Sequence, residues 1–304
     1  MSESNIHVFG HLELRGGGGE EVDLARTLAS HGVASLAPNQ VDHERLTLTT
    51  TIAVNAQVAR TVVVAREPGA RLSLAAVDGP VAGTEAEHLR LCARYMLRLD
   101  QDLGPFYAMA AADPELSWVV MGAGRMLRGQ SVFEDTVKTI CTTNCSWAAT
   151  ERMVAGLVAR LGATDAQGRR AFPTPTAMAQ VGDDFYRTEV RAGYRGRYLR
   201  ELAERVAGGG LDLEALNDAE LSDEDLERRL LDLPGVGPYA AAHIMLTSLG
   251  RCGPLVLDSW TLPTWSQLSG REPTRAAIEA RFNGFGAFRG LAFWLYLTRS
   301  WVPG

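Results

Sequence analysis

Two hydrophobic periods divide the chain. Before Thr84, apolar and β-branched positions come in short runs with strand character: RLTLTTTIAV (45–54), ARTVVVAR (59–66), ARLSLAAV (70–77) and, more weakly, HVFGHLELR (7–15). The four glycines at 16–19 are a flexible break, and VDLARTLAS (22–30) predicts one short helix. From Thr84 the period becomes helical. Thr84 and Glu87 make a capping-box pattern, followed by Leu89, Cys92, Met96 and Leu99 on one face. Asp113-Pro114 predicts another helix start. Further helices are expected near 132–145, 148–161, 183–192, 194–206, 223–232, 238–249, 274–282 and 286–300. No fixed-period repeat is evident. The fold class expected is α+β: an antiparallel β-rich domain over 1–84 on a larger all-α body over 85–304.

Composition narrows the functions. With 46% hydrophobic and 22% charged residues among 304, the chain has an ordinary globular make-up. No run is apolar for long enough to span a membrane, and no secretory leader is visible, so no membrane partner and a cytoplasmic setting are expected. Four scattered cysteines, without Cys-x-x-Cys, exclude a disulfide framework and the usual zinc or thioredoxin signatures. Cys141 and Cys145, one helical turn apart, read as small packing residues. Of the 30 basic residues Lys138 is the only lysine, so no Walker lysine follows Gly16–Gly19. A Schiff-base mechanism would need Lys138, which reads as part of a solvated helix face, or the terminal amine. The net charge is −6, shared by both halves, so neither half is a basic nucleic-acid arm.

The most informative segment is Leu233-Pro234-Gly235-Val236-Gly237-Pro238-Tyr239-Ala240-Ala241-Ala242-His243. Ser222 caps a helix ending near Asp232. A two-glycine turn follows, and Pro238 sits at N1 of the next helix. Gly235 and Gly237 permit backbone angles other residues resist and clear side chains from the helix N-terminus. Exposed amides there, with the helix dipole, suit a phosphate without basic side chains. The competing interpretation is a helix–helix turn without a ligand.

This segment, with Gly253-Pro254-Leu255-Val256-Leu257-Asp258-Ser259-Trp260, resembles the helix-hairpin-helix, Gly/Pro-rich loop and Asp signature of the base-excision DNA glycosylase superfamily. Ser131–Asp135 leading into Ile140–Ser146, and Gly193-Tyr194-Arg195-Gly196-Arg197-Tyr198, are similar to elements of its 8-oxoguanine branch; the alkylbase branch shares the small N-terminal sheet. The Asn144–Trp147 loop also resembles a set of helix-hairpin-helix proteins in bacteria and plants. The resemblance is good over 85–304 and rests on layout over 1–84. It implies two helical lobes with the active-site cleft between them.

The resemblance implies roles residue by residue. Asp258 would be the catalytic carboxylate, stabilising positive charge on the sugar and orienting water, although it could equally cap a helix beginning near Ser259. Tyr239 stands where bifunctional relatives carry a catalytic lysine, which implies a monofunctional enzyme. Tyr239, His243, Trp260 and Phe293, with Trp147 as a further candidate, would line the base pocket, against core packing for each. Phe293 replaces a glutamine and His243 a cysteine of the 8-oxoguanine branch. Tyr194 would wedge into the duplex, Arg195 and Asn144 would read the partner base, and Gly235, Val236, Gly237 and Arg197 would hold the backbone. Carbonyls of Leu231, Leu233 and Val236 would hold a potassium or sodium ion. The four-cysteine iron–sulfur loop of another branch is absent. The nine carboxylates between Asp212 and Asp232 read as a solvated face. The expected function is excision of a modified base from duplex DNA by a monomeric, nucleoid-associated glycosylase; the alternative is a non-catalytic, lesion-sensing DNA-binding protein on the same scaffold.

Overall fold

The computed structural model describes residues 6–302. Five strands, β1 (His7–Glu13), β2 (Gln40–Asp42), β3 (Thr47–Ala53), β4 (Ala59–Glu67) and β5 (Arg71–Ala76), form one antiparallel sheet in the order β1-β5-β4-β3-β2. Alternation sets its faces: Leu48, Ile52, Val62, Val64, Leu72 and Leu74 all point into one core. A short α1 (Leu24–Leu28) covers one end. The long α2 (Gly83–Met96) lays Leu89, Ala93 and Met96 on the same core.

The remaining helices are α3 (Gly104–Ala110), α4 (Val132–Thr142), α5 (Trp147–Leu161), α6 (Pro175–Ala179), α7 (Arg195–Ala207) and α8 (Asp223–Leu231). After them come α9 (Pro238–Thr247), α10 (Thr261–Ser269), α11 (Arg275–Phe282) and α12 (Arg289–Thr298). They enclose two cores. One gathers Ile140, Leu157, Leu199, Leu226 and Ile244; the other gathers Phe106, Trp265, Phe282, Phe293 and Tyr296. Helix α9 feeds both, with Ala241 and Ile244 in the first and Ala242 and Leu246 in the second. From Ala240 to Thr247 it is buried all round, which is why it lacks a polar stripe.

Several boundaries differ from expectation. Helix α2 belongs to the sheet lobe, so the lobe extends past Thr84; the stripe Leu89–Leu99 was read correctly, but a stripe does not say which surface it covers. Thr84 does not cap α2. The helix starts at Gly83, after Ala82, without a side-chain cap. Asp113-Pro114 opens no α-helix: Asp113 accepts the Glu115 N–H and pairs with Arg281, and the chain makes a 3₁₀ turn at Ser117–Met121. The segment near 183–192 is a single wide turn, Phe185–Glu189. Short α3 and α6 were not expected, whereas α10 answers to the helix near Ser259 that Asp258 could cap. The lobes are joined: Trp294 donates to the Ser30 carbonyl (2.8 Å), and Arg26 donates to the carbonyls of Arg299 and Val302.

Candidate active site

Helix α8 is capped by the Ser222 hydroxyl, which accepts the Asp225 N–H, and it stops at Leu231. The turn that follows requires its first glycine twice over. Gly235 has φ +79°, and a Cβ there would stand 2.9 Å from the Tyr198 ring. Gly237 caps α9 in an extended conformation, with Pro238 at N1. No internal acceptor meets the N–H groups of Gly237, Tyr239 or Ala240 among the described residues. They form an open donor set at a helix N-terminus. In the same turn the Leu233 carbonyl accepts the Val236 N–H, whereas among the described residues the carbonyls of Leu231 and Val236 receive no backbone donor.

This turn forms one wall of a cleft of about 980 Å³. The facing wall is Thr142–Cys145 with Tyr194 and Tyr198, and Leu257, Asp258 and Ser259 close the end. Asp258 is half-buried. Its Oδ1 accepts the N–H groups of Trp260 (2.9 Å) and Thr261 (2.7 Å), while the Thr261 hydroxyl accepts the Asp258 N–H (2.8 Å). This reciprocal box fixes the carboxylate at the entry of α10. Oδ2 makes no hydrogen bond among the described residues, so Asp258 caps a helix with one oxygen and faces the cleft with the other free.

Tyr239, between the two cores, reaches the Thr142 hydroxyl (3.4 Å). Burial raises the pKa of its phenol, so it is neutral at pH 7. His243 lies behind Tyr239 (ring centroids 5.8 Å apart) and contacts Trp294 and His31 edge-on. Burial pushes its pKa down to about 4, so it is neutral too. It does not line the cleft surface. Trp260 is 38% exposed and packs on Trp294 and Trp301, forming an aromatic ledge beside Asp258.

Phe293 corrects the expectation. It is wholly buried between Trp265 and Phe282 and is a core residue. Trp147, half-exposed, packs on Gly32 of the N-terminal lobe, away from the cleft lining.

Opposite the hairpin, Asn144 (φ +46°) donates to the Tyr194 hydroxyl at 3.4 Å, and Tyr194 is 55% exposed at the start of α7. Arg195 departs from the expected base-reading posture. Its buried guanidinium donates to the Thr143 carbonyl and lies 4.6 Å from the Tyr194 ring, so it ties the start of α7 to the loop after α4. Arg197 is exposed beside Tyr198. Arg187 pairs with Asp184, and Arg200 with Asp183 and Glu204, so neighbouring carboxylates neutralise both arginines.

Lys138 is the second correction. It is buried, 2.7 Å from Glu134, and donates to the Leu36 carbonyl. Helix α4 is buried from Val132 to Cys141, so it has no solvated face for this lysine. Tyr198, quoted only as the end of the Gly193–Tyr198 element, was given no role although it lines the cleft, and His31, buried against the Leu127 carbonyl, carries no motif.

No protein-family model matches the chain. It is 24% identical over 204 residues to "Probable N-glycosylase/DNA lyase" of Methanothermobacter thermautotrophicus, covering 60% of this chain and 64% of that protein. It is 31% identical over 159 residues to "N-glycosylase/DNA lyase OGG1" of Arabidopsis thaliana, covering 49% and 42%. The chain thus spans less than two thirds of these relatives' length. Among solved structures, the Clostridium acetobutylicum 8-oxoguanine glycosylase/lyase superposes with a TM-score of 0.71 at 22% identity, over 92% of this chain and 93% of that one. The 3-methyladenine DNA-glycosylase of Archaeoglobus fulgidus superposes with a TM-score of 0.71 at 23% identity, over 97% and 100%. The chain is similar in sequence to these N-glycosylase/DNA lyases and in fold to these DNA glycosylases. Both glycosylases share its sheet-plus-helices layout across nearly the whole chain, and at these identities the likeness concerns the fold. Among the described residues no helix is long and apolar enough to cross a membrane.

Proposed function

We propose that the protein is a DNA glycosylase that removes a modified base from duplex DNA by hydrolysis and leaves the abasic strand intact. One observation carries this reading: Asp258, the only carboxylate among the cleft-lining residues, is held rigidly by its Thr261 box with an oxygen to spare. Leaving of the base builds positive charge at C1′, as in glycoside hydrolysis generally. A fixed carboxylate stabilises that charge and orients water toward it. The amides of Gly237, Tyr239 and Ala240 suit a strand phosphate, and exposed Tyr194, braced by Asn144 and Arg195, suits a wedge into the vacated stack. Gly235, Val236 and Arg197 would support the strand's backbone on this reading.

Strand cleavage through a Schiff base needs a free amine. Tyr239 offers a neutral phenol, and Lys138 is sealed in an ion pair with Glu134. The reading therefore departs from the lyase half of the relatives' names. The carbonyls of Leu231 and Val236, free of backbone donors, with Leu233 between them, suit a potassium or sodium ion that would tie the hairpin to phosphate. The protein would act as a monomer on chromosomal DNA in the cytoplasm.

A non-catalytic, lesion-sensing protein is the second reading, favoured by the capping duty that already occupies Asp258 Oδ1. Incubation with duplexes carrying alkylated, oxidised and deaminated bases, with free base read by mass spectrometry, separates the two. Release of a base with an intact, alkali-labile strand supports the first. DNA binding without release supports the second, and a borohydride-trapped adduct overturns the monofunctional claim.

A further inference from the structure

A small recess of about 210 Å³ lies where the sheet lobe meets the helical body, and it shares no lining residue with the cleft. One wall is α2, through His88 and Cys92; the other includes Gln130, Glu134, Phe172 and Thr174. Cys92 is half-buried on the stripe that α2 packs on the sheet core. His88, four residues earlier, is exposed. Their spacing stacks the two side chains on one helix face. They meet there, with Cys92 Sγ 3.6 Å from His88 Nε2.

That separation has two readings. One is a weak S–H···N hydrogen bond. The other is an edge of a coordination shell, and it fits one geometry. A tetrahedral ion with a metal–sulfur bond of about 2.3 Å and a metal–nitrogen bond of about 2.05 Å holds the two donors about 3.6 Å apart. A linear two-coordinate ion with the same bonds needs about 4.3 Å. The pair thus stands at the tetrahedral spacing without moving and would have to spread for a linear ion. A thiolate with an imidazole is a donor set suited to zinc.

The nearby carboxylates are already engaged. Glu134, the one carboxylate on the recess wall, sits 2.7 Å from Lys138 and accepts the Gln130 N–H. Glu85, one turn before His88, is clasped by the Arg60 guanidinium. Among the described residues no third histidine, cysteine or carboxylate joins the pair.

We propose that His88 and Cys92 form a two-residue binding site for a zinc-class divalent cation at the junction of the lobes, with water from the recess completing the tetrahedron. Binding forms one metal–sulfur and one metal–nitrogen bond, releases the thiol proton to solvent and transfers no electron. Burial pushes the Cys92 thiol up to about 11, so it stays protonated until an ion displaces the proton. Two protein ligands and that proton place the affinity far below that of a four-ligand structural site, at a Kd of about 10 μM. The assignment stands apart from the glycosylase reading and needs no DNA.

The test is titration of the whole chain, free of any affinity tag, with Co²⁺, whose thiolate complexes absorb in the near ultraviolet, followed by Zn²⁺ as competitor. A charge-transfer band should grow to saturation at a single ion per chain and vanish on addition of Zn²⁺. Cys92→Ser should abolish the band and His88→Ala should weaken binding at least tenfold, whereas Cys145→Ser, on the cleft wall, should leave it unchanged. Should Cys92→Ser not fold, the ¹⁵N shift of wild-type His88 Nε2 answers instead, moving as Zn²⁺ is added. No band, a band that survives Cys92→Ser, an affinity indifferent to His88→Ala, an unmoved ¹⁵N shift, or a Kd above about 1 mM would overturn the proposal and leave the pair a sulfur–nitrogen hydrogen bond.

Discussion

Asp258→Asn separates the two duties of the side chain. Asparagine keeps an Oδ1 acceptor for the N–H groups of Trp260 and Thr261, so the box at the start of α10 survives. What is lost is the negative charge. For stability that is the carboxylate's interaction with a helix N-terminus, about 0.3–1 kcal/mol, or about 0.5–1.6 °C in Tm for a chain of this size. For the reaction it is the attraction between the carboxylate and a sugar cation about 4 Å away, about 4 kcal/mol at an effective dielectric near 20. At one decade per 1.36 kcal/mol, base release should slow about a thousandfold. Single-turnover release from a duplex carrying the best substrate of the lesion panel measures the rate, and thermal unfolding with a DNA-binding isotherm measures the rest. Wild-type release by Asp258→Asn would refute the catalytic assignment. A slow variant that had also lost many degrees of Tm would show the cap to be its main duty. Asp258→Ala, which removes the cap as well, should cost about 1 kcal/mol more in stability.

Three further outcomes follow from the geometry. Lys138→Met leaves Glu134 buried without its cation and should cost about 3–5 kcal/mol in urea unfolding, with much of the loss recovered in a Glu134→Gln/Lys138→Met double variant; a loss below about 1 kcal/mol would contradict the buried pair. Phe293→Ala should cost about 3–5 kcal/mol while leaving the order of preferred lesions unchanged, and a changed order would restore it to the base pocket. Acidification should destabilise the fold: His31 and His243, held near 3 and 4, are protonated only in the unfolded chain as pH falls below 6.5, so their stabilisation is present above that pH and lost toward 4. Asp135, raised by burial to about 6, works the other way between 6 and its unfolded value of 3.8. Two protons taken up by the unfolded chain against one by the folded leave a net loss of about 1.4 kcal/mol per pH unit in that window, read from urea midpoints at several pH values; rising midpoints on acidification would refute it.

What the sequence revealed tracks how local the physics is. The hairpin was legible because Gly235 must adopt positive φ and Pro238 must open a helix, both matters of a few neighbouring residues. The strands β3, β4 and β5 were legible because alternation is set by the pleat. Lys138 was misread because its burial depends on what surrounds α4, and a lysine four residues after a glutamate looks the same on a wet surface. Phe293 was misread for a related reason: α12 is apolar all round, so its sequence cannot say which face meets the cleft. His31 was invisible, since its chemistry arises from a Leu127 carbonyl 96 positions away.

The site's electrostatics follow from the same burial. A protein of net charge −6 gains little from non-specific attraction to phosphate, and Arg187 and Arg200 spend their charge on nearby carboxylates. Binding on this reading leans on neutral donors, the open amides at the start of α9. Tyr239, His243 and His31 are likewise neutral at pH 7, each because desolvation disfavours its charged form. On this reading Asp258 would work beside uncharged rings, with no counter-ion bonded to either oxygen among the described residues. A carboxylate in that position acts on a developing cation with little opposing charge nearby, and backbone amides that do not move hold it in place. Under those conditions a single acid can suffice without a lysine.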